Sequence, residues 1–400
     1  MEFCLIGKKL GHSYSKIIHE KQGLCYSLVE IEEDGVENYI KNFDGGMNVT
    51  IPYKKAVIPY LDEVDGFAKE IGAVNTIVKI DGKLRGYNTD VFGMEYALKR
   101  ARISLGGKRV MILGSGGTSL TARAVCKKNN ASEVFVVSRS GEINYQNCYG
   151  YEVDVIINTT PVGMFPNEYG TPIDLSKFEG LEGVFDCIYN PLRTNLILQA
   201  QELGVKNSGG LAMLIAQGLK AEEIWLGKKI PKRRYEELIC EIENEKRNIV
   251  LIGMPSCGKS TVAKELSLLT GKRVLDTDEM VKKSIGQSPS EIIEKHGEAV
   301  FRGVETEAVI KASRESGVII ATGGGAVLRW ANVSHLKRNG ILIYLERGIE
   351  KLIDDDRPLS KNGAISRLFE ERKPIYEKVC DKKVDNNGRL ESTVKEILSL

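Results

Sequence analysis

Hydrophobic residues in the middle of this chain come in short unbroken runs separated by polar, glycine-bearing turns. Arg109–Leu113 is one such run; a glycine loop, a helix-like stretch at 119–129 and a second run at 134–137 follow it. Further runs at 153–158 and Gly183–Asp186 read as strands. Continuous apolar runs of this length belong to strands covered on both faces, which predicts a parallel, doubly wound α/β sheet. Helices are expected at 195–203 and Leu211–Leu226. Lys232–Lys246 is rich in charge, but Tyr235, Leu238, Ile239 and Ile242 fall at i, i+3, i+4 and i+7. That spacing predicts an amphipathic helix closing the first unit rather than a loose tether. The apolar run 249–252 comes straight after it and leads into another glycine loop and helix-like stretch. Residues 1–90 differ, with short apolar runs, turns and dense polar clusters, and the chain shows no internal repeat or low-complexity tract.

The glycine loops carry the first chemical information. Gly114-Ser115-Gly116-Gly117-Thr118-Ser119 follows the run 110–113, and Gly253-Met254-Pro255-Ser256-Cys257-Gly258-Lys259-Ser260-Thr261 follows 249–252. A strand that enters a glycine-rich turn and then a helix presents backbone N–H groups and a positive helix end to phosphate. The first loop has no lysine and suits a dinucleotide; the second has the Gly-x₄-Gly-Lys-Ser pattern of a nucleoside triphosphate site with Mg²⁺. Lys259 is expected on the β and γ phosphates and Ser260 on the metal. In the first half, the end of the second strand selects the cofactor. Ser138-Arg139-Ser140 offers an arginine and hydroxyls there but no carboxylate, which favours the 2′-phosphate of NADP over the ribose diol of NAD. Redox chemistry and phosphoryl transfer are thus expected in one polypeptide.

Composition narrows this. At 400 residues the chain calls for two or three domains, and 42% hydrophobic with 28% charged residues is a globular balance. A net charge of +2 argues against a nucleic-acid partner. Eight cysteines without Cys-x-x-Cys spacing suggest a reduced, cytoplasmic protein, and four histidines leave little for a multi-histidine metal site. No signal-like start and no uncharged stretch of spanning length is present, so no membrane partner is expected. Oligomeric state is not legible.

The polar clusters of the first half can be read together. His12-Ser13-Tyr14-Ser15, Asn48-Val49-Thr50-Ile51-Pro52-Tyr53-Lys54, Gly72-Ala73-Val74-Asn75-Thr76 and Gly86-Tyr87-Asn88-Thr89-Asp90 precede the first glycine loop. Asn158-Thr159-Thr160-Pro161, Tyr189-Asn190-Pro191 and Gly209-Gly210 with Met213 to Gln217 come after it. In this order they resemble the shikimate dehydrogenase family over residues 1 to about 245. The resemblance implies an α/β substrate domain (1–90 and 211–245) and a Rossmann NADP domain (91–210). It implies Lys54 and Asp90 as the catalytic pair, in keeping with the proton and charge stabilisation that reducing a ring ketone requires. Ser13, Ser15, Asn48, Thr50, Asn75, Tyr189 and Gln217 fall on the family's substrate positions. Gly114, Ser115, Gly116, Gly117, Thr118, Ser138, Arg139, Ser140, Thr159, Cys187 and Gly210 fall on its NADP positions. His12 and His19 receive packing roles. Ser119 replaces the third glycine of the fingerprint, and 141–152 is short where the family carries a full helix, so the adenosine side is expected to be pared down.

In the second half Asp276-Thr277-Asp278, Phe301-Arg302 with Glu305, Thr322-Gly323-Gly324-Gly325, Arg357-Pro358-Leu359 and Arg372-Lys373-Pro374-Ile375-Tyr376 follow the phosphate loop. These resemble shikimate kinase over residues 247–400, a P-loop α/β domain with a parallel sheet. The resemblance implies Asp278 as the catalytic carboxylate, and Asp278, Arg302, Gly324 and Arg372 around shikimate. ATP is then expected on Pro255, Ser256, Cys257, Gly258, Lys259, Ser260, Thr261 and the lid residue Arg357, with Mg²⁺ on Ser260 and, through water, Asp276. The two resemblances together imply NADPH-dependent reduction of 3-dehydroshikimate and MgATP-dependent phosphorylation of the shikimate formed. Rival readings are a quinate- or NAD-preferring first half, and a regulator that has lost catalysis; the latter should lack Lys54, Asp90, Lys259 or Asp278, all present here.

Overall fold

A computed structural model describes residues 2–11, 13–352 and 364–400. The chain divides into the units Met1–Ile242 and Glu243–Leu400.

The first unit contains two sheets. Strands β1 (Glu2–Gly7), β2 (Tyr26–Glu30), β3 (Gly45–Val49), β4 (Glu63–Val64), β5 (Thr76–Ile80) and β6 (Lys83–Tyr87) form a six-stranded sheet in the order β2-β1-β3-β5-β6-β4. It is mixed: β3–β5 and β5–β6 are antiparallel, while β1 pairs in parallel with β2 and β3. This explains why the polar–apolar pattern of the first 90 residues lacks the long runs seen later. Strands β7 (Arg109–Leu113), β8 (Glu133–Val137), β9 (Val155–Asn158), β10 (Gly183–Asp186) and β11 (Lys206–Ser208) form a parallel sheet in the order β11-β10-β9-β7-β8. Val110 to Leu113 are fully buried, as a central parallel strand requires.

Three helices join these sheets. Asp90–Arg100 packs along Leu211–Leu226 so closely that a β-carbon on Gly93 would lie 2.5 Å from the Met213 carbonyl oxygen. Lys232–Lys246 is helical and buries Tyr235, Leu238, Ile239 and Ile242 on the same core, the stripe its sequence predicts. The helix after the first glycine loop starts at Gly117, two residues earlier than its apolar pattern suggests, because the loop's own backbone supplies the opening turn. Between β8 and β9 the chain makes turns and a short 3₁₀ segment, Cys148–Gly150, with no full helix. Aromatic rings take over the covering role there: Tyr145, Tyr149 and Tyr151 pack on that core, and Tyr151 lies 5.0 Å from Phe135 on the edge strand.

The second unit has one parallel sheet of β12 (Asn248–Ile252), β13 (Val274–Asp276), β14 (Ile319–Ala321), β15 (Gly340–Glu346) and β16 (Lys382–Asp385), in the order β13-β14-β12-β15-β16. The first strand in sequence lies at the centre, so the order reverses beside β12. Ligand crevices of open α/β sheets form beyond the carboxyl end of the strands at such a point. Among the described residues, no helix is long and apolar enough to cross a membrane.

Candidate active sites

In the first unit one cavity of about 740 Å³ gathers residues from both sheets. Ser13, Ser15, Asn48, Thr50, Lys54, Asn75, Asp90, Tyr189 and Gln217 all line it, and so do Thr118, Cys187 and Gly210 from the expected cofactor set. At its centre the Lys54 Nζ donates to Asp90 Oδ2 at 2.6 Å. Asp90 opens the helix Asp90–Arg100, where the positive helix end suits a carboxylate, and its backbone N–H is held by Asn88 Oδ1 at 3.1 Å. Asn75 Nδ2 donates to Asp90 Oδ1 at 2.9 Å, while Asn75 Oδ1 accepts from the Thr89 backbone at 2.8 Å. Gln217 joins through its Oε1, which accepts from Thr89 Oγ1 at 3.2 Å. The ammonium, carboxylate and amides are therefore fixed against one another before any ligand arrives.

Behind this wall lies a layer of which the sequence reading names only His19, as a packing residue. Asn48 Oδ1 accepts from the Tyr26 hydroxyl at 2.7 Å, and Tyr26 stacks on His19 with ring centroids 4.2 Å apart. His19 Nδ1 lies 2.6 Å from Glu222 Oε1, both side chains being buried. Burial raises the Glu222 carboxyl above its ordinary range against the lowering effect of His19. His12 lies outside the described residues.

The expected NADP residues sit at the carboxyl ends of the parallel strands. Gly114 has φ +104°, and a β-carbon there would lie 2.8 Å from Thr159 Oγ1. Only glycine suits that position. A β-carbon on Gly116 or Gly117 would meet nothing within 4 Å, which leaves a bare backbone cradle at the start of the helix Gly117–Lys128. Thr159 donates to the Leu113 carbonyl at 2.6 Å. Ser119 is buried in the place of the third fingerprint glycine. Ser138 closes the next turn, its N–H donating to Ile143 at 3.0 Å, and Arg139 and Ser140 stand exposed beyond it. Cys187 lies beside Gly210, whose β-carbon would fall 2.1 Å from the Cys187 carbonyl oxygen. Burial, then Asp186 and Asp90, push the Cys187 thiol well up, so it stays neutral.

In the second unit the phosphate loop runs from β12 into the helix Lys259–Thr270. Gly253, Ser256 and Gly258 have φ of 147°, 63° and 95°. Lys259 is buried and donates to the carbonyls of Gly253 and Met254 at 2.9 and 2.8 Å. Ser260 Oγ donates to Asp276 Oδ2 at 3.0 Å, so the hydroxyl and carboxylate expected around Mg²⁺ already converge. Asp276 caps the helix Thr277–Ile285 through its other oxygen. Across from it, Asp278 is pushed up to about 6 by burial and by the Asp276 and Glu305 carboxylates. Its Oδ1 is buried and has no hydrogen-bond partner among the described residues. Arg302 donates to Glu305 Oε2 at 2.7 Å and to Glu298 at 2.9 Å. A β-carbon on Gly325 would strike the Arg302 guanidinium, and one on Gly324 would lie 2.8 Å from Pro255. The Gly-Gly-Gly turn thus brings Arg302 up to the phosphate loop. Tyr376 donates to the Gly324 carbonyl, and Arg372 lies beside Tyr376. Arg357 and its neighbours Pro358 and Leu359 lie outside the described residues.

Comparison with known proteins follows the same division. Residues 5–77 match the model of the shikimate dehydrogenase substrate binding domain, and residues 255–400 match that of shikimate kinase. A shikimate dehydrogenase (NADP(+)) of Clostridium perfringens is 39% identical over 268 residues, spanning 60% of this chain and 98% of that protein. The chain belongs to the shikimate dehydrogenase family. A crystal structure of a chorismate mutase/shikimate 5-dehydrogenase fusion protein from Clostridium acetobutylicum superimposes with a TM-score of 0.58 at 36% identity, covering 60% of this chain and 96% of that one. Shikimate 5-dehydrogenase from Thermus thermophilus, solved with NADP(H) and shikimate, gives 0.54 at 27% identity, covering 60% of this chain and 99% of that one. The polypeptide joins a shikimate dehydrogenase to a shikimate kinase domain.

Several residues around the shikimate dehydrogenase and kinase sites receive no role in the motif reading. Met164, Phe165, Asn190 and Met213 line the dehydrogenase cavity, and Thr89 ties Asn75 to Gln217. In the kinase domain Asn386, 7% exposed, donates to the Cys257 carbonyl at 2.6 Å and pins the phosphate loop from the far side of the chain. Arg347, just past β15, brings Nη1 within 3.5 Å of where a Gly258 β-carbon would sit. Its Nε is buried without a hydrogen-bond partner among the described residues. A lone arginine after a strand carries no signal in sequence.

Proposed function

We propose that the chain reduces 3-dehydroshikimate to shikimate with NADPH in the first unit, and phosphorylates shikimate to shikimate 3-phosphate with MgATP in the second. The observation that carries the reading is the shared cavity: the Lys54–Asp90 pair and the residues Thr118, Cys187 and Gly210 of the cofactor side line one space. NADPH, when bound along Gly114 to Thr118, supplies the hydride. Lys54 gives its proton to the carbonyl oxygen as negative charge develops there, and Asp90 and Asn75 hold the amine in place. Ser13 and Ser15 offer neutral donors to the substrate carboxylate, while Asn48, Thr50 and Gln217 face its hydroxyls.

In the second unit Asp278 accepts the proton of the attacking hydroxyl, and its raised pKa suits a base working near neutrality. Arg302 and Arg372 hold the carboxylate of shikimate. Lys259 exchanges its carbonyl partners for the β and γ phosphates. Ser260 and, through water, Asp276 would hold Mg²⁺, which would neutralise phosphate charge. Eight cysteines without a pairing pattern fit a cytoplasmic enzyme.

The test is a coupled assay on the whole protein. Shikimate 3-phosphate should form from 3-dehydroshikimate only when NADPH and MgATP are both supplied, and shikimate should accumulate when ATP is left out. No NADPH oxidation would overturn the first assignment; shikimate that stays unphosphorylated would overturn the second.

A further inference from the structure

The helices Asp90–Arg100, Leu211–Leu226 and Lys232–Lys246, with the turn 102–106, line a second, open cavity in the first unit, about 1150 Å³, with no lining residue in common with the first. Its wall is aromatic. Tyr96 and Tyr235 stack with centroids 5.2 Å apart, and Phe92 meets Tyr235 edge-on at 6.1 Å. The Lys220 ammonium lies 5.3 Å above the Phe92 ring.

The charges around this wall do not balance. Each carboxylate lining it already has partners: Glu95 has Lys128 at 2.7 Å, Glu223 has Lys220 at 2.8 Å, and Glu236 has Arg100 at 2.8 Å with the Tyr96 hydroxyl at 2.5 Å. Lys99, Arg102 and Lys232 line the cavity as well, and among the described residues none of them has an ion-pair partner. The helix Lys232–Lys246 begins at this rim with no acidic residue in its first turn, so its positive end adds to the same field.

Arg102 gives an independent indication. It follows the helix Asp90–Arg100 in the left-handed conformation, φ +56°. Asn130 takes the same conformation after the helix Gly117–Lys128, and glycine takes it at the ends of other helices, as at Gly72, Gly227, Gly271 and Gly286. An arginine is more strained there than glycine or asparagine, which favours a use for its guanidinium.

We propose that this cavity binds a small aromatic anion, a planar ring bearing a carboxylate or phosphate. The ring lies against Phe92 and Tyr96, and the anionic group is held by Lys99, Arg102 and Lys232. A cation is disfavoured by the unpaired positive charge, and a neutral apolar molecule gains nothing from it.

The probe is 4-fluorobenzoate, followed by ¹⁹F line broadening on the full chain with saturating shikimate and MgADP filling the catalytic clefts. Saturable broadening is expected, and a Lys99→Ala, Arg102→Ala double variant should weaken it at least about fivefold while both enzyme activities stay unchanged. 4-Fluorobenzyl alcohol, which keeps the ring and lacks the charge, should not saturate, and cyclohexanecarboxylate should compete poorly. Arg102→Gly separates binding from structure: glycine suits the backbone, so thermal stability should hold or rise while binding falls. Unsaturable broadening, unchanged affinity in the variants, or equal competition by cyclohexanecarboxylate would overturn the proposal.

Discussion

Lys54 Nζ and Asp90 Oδ2 lie 2.6 Å apart, and the second carboxylate oxygen of Asp90 is taken by Asn75 at 2.9 Å. The lysine is therefore aimed by a carboxylate that is itself fixed. Lys54→Ala should lower dehydrogenase kcat by roughly 10²–10⁴-fold, the usual worth of a positioned proton donor. Kinase activity of the same preparation should be unchanged. A fall of less than fivefold in steady-state NADPH oxidation would remove Lys54 from the proton-donor role.

What the sequence made legible is what depends on near neighbours. The strand–glycine loop–helix units at Gly114 and Gly258 are local motifs, and the helix Lys232–Lys246 follows from its apolar spacing alone. The Lys54–Asp90 pair is legible only by resemblance, since the two come together only through the turn after β3 and the start of a helix that follows the β5–β6 hairpin. Contacts that join distant segments stayed hidden. Glu222 reaches His19 across 203 positions, and Asn386 reaches Cys257 across 129. No composition or periodicity signals such partners, because each residue alone reads as an ordinary helix charge or loop amide. The missing helix between β8 and β9 was visible as a short segment; its replacement by packed tyrosines was not.

Cofactor choice is expected to rest on Arg139, exposed beyond the edge strand β8. The protein should use NADPH better than NADH, and Arg139→Ala should narrow the preference. An exposed guanidinium contributes less than a buried one, so a loss of roughly three- to tenfold in the kcat/KM ratio is expected. Equal use of both cofactors by the unaltered protein would show that the shortened 141–152 segment leaves the 2′-phosphate unread.

Asp278 should show opposite effects on activity and stability. Its pKa, raised from an ordinary 3.8 to about 6, means that the folded state binds this proton more tightly than the unfolded chain does. The ionised form is then a cost above pH 6, and the cost fades as pH falls from 6 towards 3.8. Asp278→Asn should therefore abolish phosphoryl transfer yet stabilise the second unit at pH 8 by about 1–3 kcal/mol, with little gain near pH 4. Calorimetry at the two pH values reads the stability difference. In the unaltered protein kinase kcat/KM should rise with pH through about 6, because the base must be ionised to accept a proton. A flat profile from pH 5 to 8, or a variant that is less stable at pH 8, would reject Asp278 as the base.

Arg347 supports a last prediction for the phosphate loop. Lys259 is held by loop carbonyls at 2.8–2.9 Å and is the cation expected to clamp the β and γ phosphates. Arg347 approaches the same loop at Gly258 through Nη1 from just past β15, and its Nε is buried with no hydrogen-bond partner among the described residues. A guanidinium beside a phosphate cradle is placed to meet phosphate oxygens, so it should act on nucleotide binding rather than on the chemical step. Arg347→Met, which keeps the length and removes the charge, should raise KM for ATP roughly three- to tenfold and leave KM for shikimate unchanged. Lys259→Ala, in contrast, should remove phosphorylation while sparing reduction of 3-dehydroshikimate. An Arg347→Met enzyme whose ATP and shikimate KM values rise together would mean that the arginine only supports the fold of the loop.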